Sequence, residues 1–130
     1  MITVYLAHNM SSKEYGHSLQ AKIESLDINV YNPFDRVEQH GSAESIVETE
    51  IHIIEDVVDA VVTVVTDQWA AGSHMESIIA SRYAKKPVFV LWLAKRYSKL
   101  TAHHIWYDYL TNVFDTEEQL LNALKAWIDQ

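Results

Sequence analysis

The sequence predicts a three-layer α/β domain, in which a doubly wound parallel sheet of five strands carries helices on both faces. Two apolar runs indicate this fold, Ala60 to Val65 and Val88 to Trp92. Both are continuous rather than alternating, as is typical of strands covered on both faces. A helical segment, Met75 to Ala84, separates them, as in a right-handed crossover. The loop over 67–76 then lies at the carboxyl end of the sheet, where open α/β folds bind their ligands.

The first half of the chain predicts two strands and one helix before a loop. Residues 2–7 form the first strand, and either Ser11 or Ser12 can cap the helix that follows. The apolar positions of this helix have the i, i+4, i+7 spacing of a one-sided helix (Leu19, Ile23 and Leu26). The second strand spans 27–31 and ends at an Asn-Pro pair, because proline cannot donate to a strand ladder. Residues 32–41 are predicted to be a loop.

The second half predicts three more helices, and a short fourth one, around the remaining strands. Ser42 can cap a helix that reaches residue 58 with one broad apolar side (Ile46, Val47, Ile51, Ile54 and Val58). The central strand spans 59–66. After the fourth strand, the aromatic stretch 105–110 is compatible with a short helix, and 112–114 with an edge strand.

The last helix has a clear start signal. Asp115 or Thr116 can cap it, and Glu118 or Gln119 is placed for a capping-box hydrogen bond. It runs through Asp129 with one apolar stripe (Leu120, Leu121, Leu124 and Ile128). The element order therefore predicts one domain over residues 1–130 with strand order 2-1-3-4-5, which is flavodoxin-like.

Composition narrows the classes of function. The chain has 130 residues, a net charge of −8 and no cysteine. A protein that binds a nucleic-acid polymer needs clustered lysines and arginines. This chain is acidic, so we expect no nucleic-acid polymer as its partner. No apolar run is long enough to cross a membrane, and the chain enters a strand at once without a basic leader, so we expect a cytoplasmic protein. Any phosphorylated ligand must find a local positive group; the candidates are Lys13, Arg36, Arg82, Lys85, Lys86, Lys95, Arg96 and Lys99.

Glu76 is the main candidate for chemistry. We place it in the first turn of its helix, where the helix dipole favours the charged carboxylate and hence an anionic nucleophile. The alternative is that a glutamate in the first turn only stabilises the helix through its dipole and has no role in chemistry. Gly72 before it allows a close backbone approach or a positive φ, and Ser73 can be an N-cap. Tyr5, at the end of the first strand, can either pack or hydrogen-bond a carboxylate and so fix its orientation.

Several common chemistries lack their motifs. The seven histidines show no metal-ligand spacing, so no metal is predicted. No glycine-rich phosphate loop is present, so nothing supports an NTPase or a dinucleotide-binding Rossmann domain, and the absence of a GxSxG elbow removes the usual hydrolase nucleophile. Trp69 stands in the ligand-side loop and could stack on a base.

The sequence resembles the nucleoside 2-deoxyribosyltransferase superfamily, which includes nucleoside deoxyribosyltransferases and nucleoside 5′-monophosphate N-hydrolases. The resemblance covers most of the chain. It lies in VYLA (4–7), Tyr-Asn-Pro (31–33), the turn Gly-Ser-His-Met-Glu (72–76), Ala-Lys-Lys-Pro (84–87) and the closing NVFDTEEQLLNAL (112–124). The resemblance implies a doubly wound fold, Glu76 as the nucleophile that attacks C1′ of the sugar, and Tyr5 as the residue that orients it. It also implies a homodimer, or a larger assembly of dimers, and no metal or organic cofactor.

The chain departs from the family pattern at three places. His8 follows VYLA where the family often has glycine. Ala70 stands where the hydrolases have a phosphate-binding serine and the transferases a base-contacting aspartate. Ile51 stands where the family has a sugar-binding aspartate, and Glu50 is one position away. We therefore predict substrate contacts from the remaining polar groups near these positions (His8, Glu50, Asp67, Gln68, Trp69, Gly72 and Ser73).

Two functions are consistent with the residues. One is cleavage of the N-glycosidic bond of a nucleoside or nucleotide, with transfer of the (deoxy)ribosyl group to another base or to water. A carboxylate can stabilise or capture the oxocarbenium-like transition state of that reaction, while an acid such as Asp67 or His74 protonates the leaving base. The alternative is an inactive module of the same fold that binds a nucleotide-like ligand or a protein.

Overall fold

The computed structural model describes residues 1–9, 13–36, 41–68, 71–95, 109–110 and 112–130. Its five strands form one parallel sheet in the predicted order β2-β1-β3-β4-β5. They are β1 (Thr3–Ala7), β2 (Asn29–Tyr31), β3 (Ala60–Val65), β4 (Val88–Trp92) and β5 (Val113–Phe114). In the sheet register, Tyr5 of β1 lies between Tyr31 of β2 and Val61 of β3. The predicted fold class is confirmed.

Within the described residues, five helices accompany these strands. They are α1 (Lys13–Glu24), α2 (Pro33–Arg36), α3 (Ala43–Asp56), α4 (Ala71–Ile78), which continues into a π-helical turn (Ile79–Tyr83), and α5 (Glu117–Ile128). Among the described helices, none is long and apolar enough to span a bilayer. The helix predicted over 105–110 and the serine cap of α1 (Ser11 or Ser12) lie outside the described residues.

The sheet has a hydrophobic core on each face because its strands alternate their side chains. On one face, Leu19 and Ile23 of α1 and Leu120 and Leu124 of α5 cover the strands. On the other face, Tyr5 and Ile54 of α3 belong to the second core. The polar site described below lies on this second face, against α3 and α4.

Two of the predicted capping signals are confirmed, those of α3 and α5. Ser42 accepts a hydrogen bond from the Ser45 amide at 3.1 Å and begins α3. Thr116 accepts one from the Gln119 amide at 3.1 Å and begins α5, while the Gln119 side chain accepts a bond from the Asp115 amide. The capping motif of the last helix is therefore confirmed.

The loop predicted over 32–41 is wrong in its first part, since residues 33–36 form α2. Asn32 caps this short helix by accepting from the Phe34 amide at 3.2 Å. Proline is favoured at the first helical position, where its missing N–H would have no partner anyway. The Asn-Pro pair thus ends the strand and also begins a helical turn.

The predicted apolar side of α3 is only partly buried. Ile54 is the one fully buried residue within this helix, whereas Val47 is 49% exposed. The first turns of the helix, residues 43–50, contain no buried residue. Those turns consequently leave apolar surface uncovered.

Candidate active site

The centre of the candidate site is a hydrogen bond between β1 and α4. The Tyr5 hydroxyl donates to the Glu76 carboxylate, and the Tyr5 side chain is completely buried. Residues that are 71 positions apart in the chain thus meet on one face of the sheet, as the sequence predicted. The tyrosine can hold the carboxyl group in one orientation.

Glu50 of α3 completes a carboxyl pair with Glu76. Its carboxyl group lies close enough to that of Glu76 to raise the pKa of Glu76. A second carboxyl group this close disfavours the charged form of Glu76. Glu50 was predicted as a substrate contact one position from the family's aspartate, and the structure brings it to the predicted nucleophile.

The position of Glu76 in its helix corrects the sequence analysis. The helix begins at Ala71 rather than Met75, so Glu76 is beyond the first turn, and the helix dipole does not hold its charge. Burial, reinforced by Glu50 and opposed by the Tyr5 hydrogen bond, raises the pKa of Glu76 to about 8. The predicted stabilisation of the charged carboxylate by the helix dipole is therefore wrong. Burial and the interaction with the Glu76 carboxyl group also raise the pKa of Tyr5, which therefore remains a hydrogen-bond donor.

A buried hydroxyl pair fixes α4 against β3 next to Glu76. Ser77 donates to the Ser73 carbonyl oxygen at 2.7 Å, so the Thr63 hydroxyl must be the donor in its 2.6 Å contact with Ser77. The small side chains of Thr63 and Ser77 let the helix approach the sheet closely. Ser73 is also buried inside α4, so its predicted N-cap role is wrong.

Gly72 does not have the special conformation that its sequence position suggested. It lies in α4, and none of the three glycines, all of them described, has a positive φ. Within the described part of the chain, a Cβ atom added at Gly72 would meet nothing closer than 4 Å. The position therefore has room for a side chain, and its predicted contact with substrate stays a prediction.

His8 is buried and bonded within the protein. Its Nε2 atom lies 3.2 Å from Asn32 Oδ1, and its Nδ1 atom lies 3.1 Å from the Asn9 carbonyl oxygen. Its ring contacts Phe34, and Gly16 of α1 leaves space for it. Burial lowers the pKa of His8. These contacts give His8 a structural role, while its predicted role in substrate binding stays a prediction.

The loop after β3 is connected to both neighbouring loops. The Asp67 carboxylate accepts from the Lys95 amide at 2.8 Å, beyond β4, and the Gln68 carbonyl oxygen accepts from Asn9 at 3.2 Å, beyond β1. Asp67 and Gln68 thus lie at the carboxyl edge, as predicted, and their contacts with a base stay predictions. Trp69 and Ala70 lie outside the described residues.

Two residues that the sequence analysis did not place in the site extend it toward α2. Tyr31, which ends β2, stacks on Tyr5 with ring centroids 5.8 Å apart. The Arg36 guanidinium carbon lies 5.7 Å from the Tyr31 ring centroid. The signal for Tyr31 was available, because it is the last residue of a strand that neighbours β1. Arg36 was only one of eight possible cations.

No protein-family model matches the sequence, and no curated protein matches it either. Solved structures do resemble it. The 2-deoxyribosyltransferase of the psychrotolerant bacterium Bacillus psychrosaccharolyticus has a TM-score of 0.71 and 19% identity, over 92% of this chain and 90% of that chain. The CMP N-glycosidase BcmB of Clostridium botulinum has a TM-score of 0.62 and 20% identity, over 95% and 98%. Across nearly its whole described length, this chain has the fold of these two enzymes.

Proposed function

We propose that this protein is an enzyme that cleaves the N-glycosidic bond of a nucleoside or nucleotide. The observation that carries the proposal is the hydrogen bond from buried Tyr5 to Glu76, with the Glu50 carboxyl group beside it. The fold shared with a 2-deoxyribosyltransferase and a CMP N-glycosidase supports it. In this proposal Glu76 is the nucleophile and Tyr5 orients it.

The first step breaks the bond between C1′ and the base nitrogen. Glu76 attacks C1′ as a carboxylate and forms a glycosyl ester, while the bonding electrons leave with the base nitrogen, which takes up a proton. Glu50, whose carboxyl group lies beside Glu76, is in our proposal the acid that passes a proton to the base. The acids suggested by the sequence, Asp67 and His74, are the alternative donors.

The second step regenerates Glu76. A water molecule or the nitrogen of an acceptor base attacks C1′, the ester bond breaks, and the carboxylate is released. Water makes the enzyme a hydrolase, and a base makes it a transferase. The carboxyl pair serves either outcome, since it can accept the proton that the attacking group loses.

A second candidate is an inactive binding module of the same fold. The raised pKa of Glu76, about 8, favours it, because a protonated glutamate is a poor nucleophile at neutral pH. Such a module would hold a nucleotide-like ligand or a protein partner without turnover.

One experiment separates the two candidates. The protein is incubated at pH 8.5 with pooled nucleosides and nucleoside 5′-monophosphates, with and without free acceptor bases, and the products are separated by chromatography. We expect release or exchange of base by the wild type and none by Glu76→Gln, which keeps the shape of the side chain and removes its nucleophilic charge. Base release by Glu76→Gln at the wild-type rate would reject the mechanism. Ligand binding without any product would favour the binding module.

We further propose that the protein is cytoplasmic and acts as a homodimer or a larger homo-oligomer. Exposed apolar side chains on the two helices beside the site support the assembly, namely Val47 of α3 and Met75 of α4. The expected partners are thus a small nucleoside or nucleotide and a second copy of the chain.

A further inference from the structure

A chain of contacts connects Arg36 to the candidate nucleophile. Arg36 ends α2, which directly follows β2 at the carboxyl edge of the sheet. Its guanidinium group lies near the ring of Tyr31, which stacks on Tyr5, and Tyr5 donates to Glu76. A cation is thus held two aromatic rings away from the reacting carboxyl group.

The guanidinium group of Arg36 is available to a ligand. Its neighbour Asp35 pairs with His17 at 2.9 Å. Within the described ranges, no carboxylate forms an ion pair with Arg36, whose side chain is exposed. Other cations have partners elsewhere: Lys22 pairs with Glu117 at 2.5 Å, and Lys86 donates to two carbonyl oxygens at the end of α3.

The charge of the site makes such a cation necessary for an anionic substrate. The chain carries a net charge of −8, and the site itself contains Glu50 and Glu76. A phosphate ester would be repelled there unless a positive group lies nearby. Arginine suits this purpose because its planar fork donates two parallel hydrogen bonds to phosphate oxygens.

We propose that Arg36 binds the 5′-phosphate of the substrate, so that the enzyme acts on nucleoside 5′-monophosphates in preference to nucleosides. This inference rests on the proposed function, since it assumes that the sugar lies against Glu76. The 5′-phosphate extends from the sugar ring on the other side of the ring oxygen from the anomeric carbon. With the anomeric carbon at Glu76, the phosphate can lie toward Tyr31 and Arg36, whose exposed side chain can adjust to it.

The test compares each nucleoside with its own 5′-monophosphate. We would measure kcat/KM for both substrates with the wild type, Arg36→Ala, Arg36→Lys and Arg82→Ala. Arg82 is the matched control, because it is an exposed arginine on the π-helical turn, and its loss changes the net charge equally. A second measurement needs no turnover: calorimetric titration with ribose 5-phosphate and 2-deoxyribose 5-phosphate, and with ribose as the uncharged reference.

We expect the wild type to prefer the monophosphate, and Arg36→Ala to reduce this preference by roughly tenfold to a hundredfold, the scale of one lost hydrogen bond to a charged group. Arg36→Lys should retain part of the preference, because lysine keeps the charge but not the fork. Arg82→Ala should retain all of it. In the titrations, Arg36→Ala should lose affinity for the sugar phosphates.

Other outcomes distinguish this inference from the proposed function. Turnover of nucleosides without preference for the monophosphate would overturn the role of Arg36 and leave the glycosidase function in place. A preference that Arg36→Ala leaves intact would overturn it as well. If no substrate is turned over but sugar phosphates bind to the wild type and not to Arg36→Ala, the enzyme proposal fails and the phosphate site stands. Absence of both turnover and binding contradicts both.

Discussion

The hydroxyl group of Tyr5 directly fixes the orientation of the Glu76 carboxyl group. Tyr5→Phe deletes its hydrogen bond to Glu76 and leaves the carboxyl pair in place. A hydrogen bond to a charged group contributes about 1.5–3 kcal/mol, so we expect kcat/KM to fall by roughly one to two orders of magnitude. The matched control is Tyr31→Phe, which removes a hydroxyl from the stacked ring and keeps the Tyr5–Glu76 bond. Equal rates for Tyr5→Phe and wild type would show that Tyr5 only packs.

The protonation of Glu76 predicts the pH dependence of activity. Its pKa of about 8 means that the attacking carboxylate becomes abundant only at alkaline pH. We expect kcat/KM, which reports the free enzyme, to rise with pH to a midpoint near 8. Glu50→Gln removes a neighbouring carboxyl group that raises this pKa, so it should move the midpoint to lower pH, whatever it does to the rate. A profile that is flat between pH 6 and 9 would contradict the assignment.

The same residue predicts the pH dependence of stability. The folded-state pKa of Glu76 is about 8, above the value of about 4.3 for a glutamate in an unfolded chain. Between these values the folded state holds a proton that the unfolded state has lost, so the contribution is complete below about pH 4 and disappears as pH rises through 8. We expect the free energy of unfolding of Glu76→Gln to decline less over this range than that of wild type. Denaturant titrations from pH 5 to 9 measure the difference.

The sequence predicted which residues meet in this site, but it did not predict the protonation state of Glu76. Tyr5 and Glu76 could be placed together because Tyr5 lies on β1, and Glu76 lies on the helix that follows β3, the neighbour of β1 in the predicted order. The protonation of Glu76 depends instead on how deeply α3 covers it and on where Glu50 points, and neither is encoded in local spacing. Arg36 could not be singled out, since its contact with Tyr31 arises from a helical turn that had been predicted as a loop.

Among the secondary-structure elements, α4 shows how tertiary contacts change a local preference. Its first residues, Ala71 to Ser73, have the composition of a turn, which led to a predicted start at Met75. The helix nevertheless begins at Ala71, and the buried hydrogen bonds among Thr63, Ser73 and Ser77 fasten it to β3. Strands and capping motifs were predictable because continuous apolar runs and serine or threonine caps are local signals. Contacts with β3 are not local.

Two helical glycines give opposite predictions for stability. A methyl group at Gly16 of α1 would lie 2.7 Å from Nε2 of His8, whose buried ring is held by hydrogen bonds to Asn9 and Asn32. We expect Gly16→Ala to destabilise the protein by about 1–3 kcal/mol, as overpacking does. Gly72→Ala in α4 meets open space and should stabilise by up to about 1 kcal/mol, because alanine favours a helix. Thermal unfolding of both variants checks the pair; a stabilised Gly16→Ala would show that His8 can move.

At the scale of the whole molecule, the helices beside the site leave apolar surface exposed. Val47 of α3 is 49% exposed, Met75 of α4 is 66% exposed, and Tyr83 of the π-helical turn is 74% exposed. Isolated exposed apolar residues are ordinary on protein surfaces, but three on two adjacent helices are compatible with an interface. We therefore expect a homodimer that covers this face, with its axis near the two-helix surface.

Charge sets the conditions under which that dimer should be seen. Each copy carries a net charge of −8, so two copies repel each other, and added salt screens the repulsion. We expect light scattering to show a dimer at micromolar concentration. Its dissociation constant should decrease between about 0.05 and 0.5 M salt, because the Debye length shortens from above 10 Å to below 8 Å over this range.

Met75→Lys should shift the chain toward monomer, because it places a charge in the buried contact. Ala126→Lys, an equal charge change on α5 across the sheet, is the control and should remain dimeric. A monomer at all salt concentrations would contradict the assembly, and equal dissociation by both variants would place the contact elsewhere.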